Sequence, residues 1–268
     1  MFHPPGYLWA ITISGITAIP AATCLLLYGG AKRAGLGRKP AALLGGGAAL
    51  LLGGWFAASA VIARHGWYHT RLGHQVPWLP VAVAGFLGTL LALRQIPAVR
   101  RALTAPGMVS RLELPHMFRV AGGLGFLLTM AIGHLPALFA VPAGLGDIAA
   151  GVAAPLVACK LAQGTGRRAA PWFNALGMTD LVVALTLGAL TGFQLLNVTP
   201  SAAPIFGLPL ALIVTAGVPL LLVLHISSMS VLAKGARAPL SATGPLTAGP
   251  LTPGPTPRTA ATNGPAAR

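Results

Sequence analysis

The chain has 268 residues, 55% of them apolar and 8% charged, with a mean hydropathy of +0.77. Water-soluble domains run near a quarter charged, so this composition excludes a soluble globular fold and points to a polytopic membrane protein. Eighteen Lys and Arg against three acidic residues give a formal charge of +15. The basic residues lie between apolar stretches rather than on one face, so they read as membrane-orienting loops and not as a nucleic-acid surface.

A membrane-crossing helix needs about 20 mostly apolar residues at a rise of about 1.5 Å each. That ruler predicts spans at 7–28, 40–63 and 77–97. No Lys or Arg precedes Lys32, so the basic region of a cleavable signal peptide is missing and the first span is expected to stay in the mature protein. From Val120 to Cys159 the ionisable side chains besides cysteine are His134 and Asp147, over a length that would make two bilayer crossings. Pro136 and Pro142 bracket the break, because each lacks a backbone donor and disfavours helix just before it. Spans are therefore predicted at 119–135 and 142–161, followed by 172–194 and 207–233.

Seven spans place alternate loops on opposite sides, and the charges segregate accordingly. The loops after spans one, three and five, together with the tail, carry 16 of the 18 basic residues, Arg119 included, against Arg64 and Arg71 on the other side. The expected topology in the bacterial inner membrane is thus N-terminus outside and C-terminus cytoplasmic. Trp9, Trp67, Trp78 and Trp172 fall near span ends, as an interfacial aromatic belt requires. From about Pro239 to Arg268 the composition shifts to Pro, Thr, Ala and Gly without periodicity, which predicts a disordered tail over 238–268. Cys24 and Cys159 lie in apolar stretches and form no CxxC pair, so neither a disulfide framework nor a thiolate metal site is expected.

An ionisable residue within a span costs about 2.5–3.5 kcal/mol on insertion scales and is a functional candidate by default. Asp147 and Asp180 are the two such acids, about 8 Å apart in depth by the helical rise, so one cavity can hold both. Gly144-Leu-Gly-Asp147 and Gly177-Met-Thr-Asp180, on consecutive antiparallel helices, have the form of a remnant inverted repeat. The plainer reading makes each Asp a hydrogen-bonded packing group with Asn174, Thr179 or Thr186 as partner. The sharper one is a proton or cation relay in which His134, at the outer end of span four, exchanges protons with Asp147.

Histidines allow a second constellation. His116 and His134 stand at opposite ends of span four, with His225 at a depth close to the first and His65 or His69 close to the second, so two bis-histidine haems are geometrically conceivable. His65, His69 and His74 have spacing that a zinc or copper ion could use, but they read as interfacial residues and no metal site is assigned. Walker, GxSxG, HExxH and GxGxxG signatures are absent, which argues against an enzyme.

The run LPALFAVPAGLGD from Leu135 to Asp147, then Trp172-Phe-Asn174 and Gly177-Met-Thr-Asp180-Leu181, resembles segments of an uncharacterised family of bacterial multi-pass membrane proteins. The likeness covers roughly His116 to Leu232 and implies that this block is one unit whose polar positions belong together. It implies no activity, substrate or cofactor. The expectation is a seven-helix bundle with Asp147, Asp180, Asn174 and His134 lining a polar site between spans four and six. Small-solute or proton-linked transport is the leading function, without a cofactor. A haem redox protein and a non-catalytic sensor or complex subunit are the alternatives.

Overall fold

A computed structural model of the chain describes residues 3–69 and 76–237. Among these, all regular structure is helical. In chain order it comprises α1 (Gly6–Arg33), α2 (Arg38–Arg64), α3 (Trp78–Leu93), α4 (Pro97–Leu103) and α5 (Met108–Glu113). A 3₁₀ turn (Leu114–Phe118) leads into α6 (Arg119–Ala131), then α7 (Ala137–Ala162) and α8 (Ala169–Gly192). A second 3₁₀ turn (Ala203–Phe206) precedes α9 (Leu210–Leu212), a π segment (Ile213–Gly217) and α10 (Val218–Arg237). Arg71 and His74, and the tail expected to be disordered, lie outside the described residues.

Helices α1, α2, α7, α8 and the run Leu210–Lys234 are long and apolar enough to cross a membrane; α3 and α4, bent by 86°, would together make a sixth such element. The bend falls just before Pro97, where the proline ring forces the preceding residue out of helix. The predicted fourth span is the exception. Helix α6 has only 13 residues, about 20 Å at the helical rise, and it continues a helical run that starts at Met108 and tightens to 3₁₀ over Leu114–Phe118. Pro115 accounts for the tightening: it has no N–H to continue the i→i−4 ladder, and the Leu114 amide closes a tighter bond on the Arg111 carbonyl.

Pro142 does not break the chain as expected. It lies inside α7, whose N-cap is Pro136, so the helix begins five residues before the predicted span. Pro142, the sixth residue of α7, removes one ladder bond, that to the Leu138 carbonyl, without ending the helix, and the turn before Pro136 supplies the break.

Every residue from Pro209 to His225 is buried. A helix apolar on all sides belongs at the centre of a bundle, and here α1, α2, α3, α5 and α8 pack against it. The Thr215 carbonyl, whose i+4 residue Pro219 has no N–H, accepts from Trp55 Nε1 at 3.0 Å, while Thr215 Oγ1 meets Ser59 Oγ at 2.6 Å and Ser59 meets the Tyr68 hydroxyl at 3.0 Å. These bonds tie α2 to the central helix. Trp55 also stacks on Phe86 with ring centroids 4.8 Å apart. The other four tryptophans, Trp9, Trp67, Trp78 and Trp172, are exposed, as belt residues would be.

Candidate functional site

All three acidic residues of the chain belong to one cluster, Glu113 and Asp147 buried and Asp180 half-buried. The α5–α6 run sets the geometry. A 3₁₀ helix has three residues per turn, so Glu113, His116 and Arg119 project from one edge about 6 Å apart. Each of the three is at most 2% exposed.

Arg119 faces α7 and α8. Its Nε donates to Asp147 Oδ1 at 2.7 Å and its Nη2 donates to Asp180 Oδ2, so one guanidinium joins two carboxylates from two helices. Asp147 and Asp180 therefore share one depth instead of being offset by the predicted 8 Å. The earlier start of α7 accounts for most of that difference, since five residues of helix are about 7.5 Å. Arg119, expected in a loop between spans, is an ion-pair partner inside the bundle. Among the described residues, both ion pairs belong to Arg119.

Glu113 and His116 face α8 and α10. Glu113 Oε1 accepts from Ser228 Oγ at 2.6 Å and from Asn174 Nδ2 at 2.8 Å. Asn174 Nδ2 also donates to the Ala170 carbonyl at 2.9 Å, and its Oδ1 lies 2.8 Å from His225 Nδ1. Because the amide nitrogen is committed to these acceptors, Asn174 Oδ1 must accept, and His225 Nδ1 carries the proton. The His116 and His225 rings stack with centroids 3.7 Å apart and planes 22° from parallel, and Phe173 packs edge-on to His116.

Gly177 joins the two halves. A Cβ there would lie 2.5 Å from His225 Nε2 and 3.4 Å from Arg119 Nη1, so only glycine lets both groups approach α8. Seven buried side-chain polar atoms lack a hydrogen-bond partner among the described residues. Five are in this cluster: Glu113 Oε2, both ring nitrogens of His116, Arg119 Nη1 and His225 Nε2.

On the other side of Asp147 is an apolar cavity of about 280 Å³ between α3, α7, α8 and the π segment. Leu79, Phe126, Phe139, Leu181 and Val214 are among its walls, and Asp147 is the one ionisable side chain that lines it.

Of the residues singled out from sequence, Asp147, Asp180 and Asn174 are gathered here, and His116 and His225 are brought together as well. Their stack leaves no gap for a porphyrin between two axial imidazoles, so this pair does not fit a haem. His134 lies apart, on the exposed linker between α6 and α7. His65 and His69 lie on the exposed turn after α2, the latter edge-on to Phe206 at 5.8 Å. Glu113, Ser228 and the pairing role of Arg119 were not anticipated. Glu113-x-x-His116-x-x-Arg119 around a proline was the available signal, since a 3₁₀ turn is the geometry that aligns such spacing.

These features define a helical protein with several helices long enough and apolar enough to cross a membrane, built around one buried ionic cluster. The chain belongs to a family described as a domain of unknown function, DUF8737, whose model matches residues 76–233 and thus every residue of the cluster. No curated protein and no solved structure matches the chain.

Proposed function

We propose that the protein is a multi-pass carrier of the bacterial inner membrane that moves protons, or a small solute together with protons, through the Arg119–Asp147–Asp180 centre. The carrying observation is one guanidinium held between two carboxylates of α7 and α8, one of which lines the apolar cavity. With every group ionised the trio has one negative charge in excess, and a proton shared by the two acids makes it neutral. Uptake and release of that proton is the coupling step, as for intramembrane carboxylates in pumps and transporters. A solute bound in the cavity would be largely apolar, with one cationic or hydrogen-bonding group to meet Asp147.

In the proposed topology the N-terminus is outside and the C-terminus cytoplasmic, with seven crossings. The fourth is the whole helical run from Met108 to Ala131 rather than α6 alone. The cavity then lies in the outer half, the Glu113–His225 group in the inner half, and Arg119 between them.

Reconstituted vesicles carrying a trapped pH indicator provide the test. With a potassium-diffusion potential, the wild-type protein is expected to pass protons, while Asp147→Asn and Asp180→Asn, still monodisperse in detergent, lose most of that flux. Equal flux through both variants would reject the proposal.

A further inference from the structure

We infer that Glu113, His116 and His225 form a binding site for a divalent first-row transition-metal ion. Each offers a donor atom, these atoms all lie within 4.8 Å of one another, and all three residues are fully buried. Two imidazoles and a carboxylate are ligands that zinc, manganese and iron accept.

The unmet hydrogen-bonding capacity of these residues favours an ion over mere packing. His225 gives its Nδ1 proton to Asn174, which leaves the lone pair of Nε2 without a partner. Ser228 and Asn174 both donate to Glu113 Oε1, which leaves Oε2 bare. Metal-bound imidazoles and carboxylates are held by such outer hydrogen bonds. Neither nitrogen of His116 is bonded, although the ring is wholly buried. Leaving these acceptors unsatisfied in an apolar bundle is costly, and a single cation satisfies all three.

Charge points the same way. Glu113, Asp147 and Asp180 against Arg119 sum to two negative charges when ionised, with both histidines neutral. A divalent cation cancels that sum. Arg119 does not repel it strongly, because two carboxylates already neutralise the guanidinium. One adjustment is required: stacked rings aim their lone pairs along parallel planes, so His116 must turn about its χ2 and the donors close to about 3.3 Å apart, the spacing set by bonds of about 2.0–2.1 Å. With no hydrogen bond to break, His116 is the residue able to turn. The site stands independently of any transport activity.

Full-length protein purified without chelators from zinc-supplemented cells tests this by elemental analysis, followed by Co²⁺ titration of the chelator-treated sample. The expected result is an equimolar amount of zinc and a visible Co²⁺ spectrum of nitrogen and oxygen ligation that Zn²⁺ abolishes. Glu113→Gln and His116→Asn should each weaken Zn²⁺ binding by about tenfold or more, whereas the combined His65→Ala, His69→Ala and His74→Ala variant should bind as the wild type does. Should the site variants fail to fold, X-ray absorption at the zinc edge of the wild-type protein decides, with two imidazoles in the coordination shell expected. Absence of equimolar metal, retention of binding in both site variants, loss in the His65, His69 and His74 variant, or a shell without paired imidazoles would each overturn the inference.

Discussion

His225 Nδ1 donates to Asn174 Oδ1 across 2.8 Å, and this bond ties α10 to α8 inside the buried cluster. It fixes the tautomer of the histidine and turns Nε2 toward Gly177, against which Arg119 Nη1 also packs. The ionic trio and the histidine pair are therefore one body of polar groups, brought together by the absence of a single methyl at Gly177.

Gly177→Ala tests that contact directly. The added carbon would meet His225 Nε2 at 2.5 Å, well inside van der Waals distance, so the ring must move or α8 must shift. Overpacking of this kind costs about 1–3 kcal/mol. Thermal unfolding in detergent should show a midpoint lower by several degrees than that of Ala175→Gly, a change at a half-buried neighbour on the same helix.

Arg119→Met leaves two carboxylates in the bundle without their cation. Removing one member of a buried pair destabilises by about 3–5 kcal/mol, whereas neutralising the whole group is often harmless. The triple variant Arg119→Met, Asp147→Asn, Asp180→Asn should thus unfold at a higher temperature than Arg119→Met alone. Arg119→Lys should fall between wild type and Arg119→Met, because one ammonium cannot present the planar fork that spans both acids. A triple variant less stable than the single one would contradict the pairing.

Ser59→Ala should loosen α2 from the central helix. Ser59 bridges the Tyr68 hydroxyl and Thr215 Oγ1, and its removal strands buried groups at a cost of about 1–3 kcal/mol. Trp55, stacked on Phe86 and bonded to the π segment, reports on the same junction. Its emission in a background lacking the four exposed tryptophans should shift to longer wavelength in Ser59→Ala, and an unchanged spectrum would place the anchor elsewhere.

Orientation is open to a labelling experiment. In a Cys24→Ser, Cys159→Ser background, single cysteines at Gln163 and His65, both exposed at helix ends, should react with a membrane-impermeant maleimide from opposite sides. Gln163→Cys is expected to label only in inverted vesicles and His65→Cys only in intact cells, as the charge distribution requires. Labelling of both from one side would refute seven crossings with this orientation.

Composition and the length of its apolar runs point to helices suited to a membrane, since about 20 consecutive apolar residues satisfy their backbone in lipid as a helix, whereas barrel strands alternate. The period of its apolar runs located most of the long helices, and the cost of burying a charge marked Asp147 and Asp180. Sequence could not say what those acids touch. Arg119 resembled every other basic residue between spans, because a loop arginine and a buried one differ only in what packs around them. Glu113 stood outside every predicted span, and the 3₁₀ turn at Pro115 carries it inside. Helix starts were uncertain by a turn or more around Pro136 and Pro142, which is enough to misplace a side chain by several ångström in depth. Apolar periodicity and backbone hydrogen bonding are local properties and can be read along the chain. The joining of Glu113, His116, Arg119, Asp147, Asn174, Asp180 and His225 depends on helix rotation and on the close approach at Gly177, and only the tertiary packing of the bundle decides those.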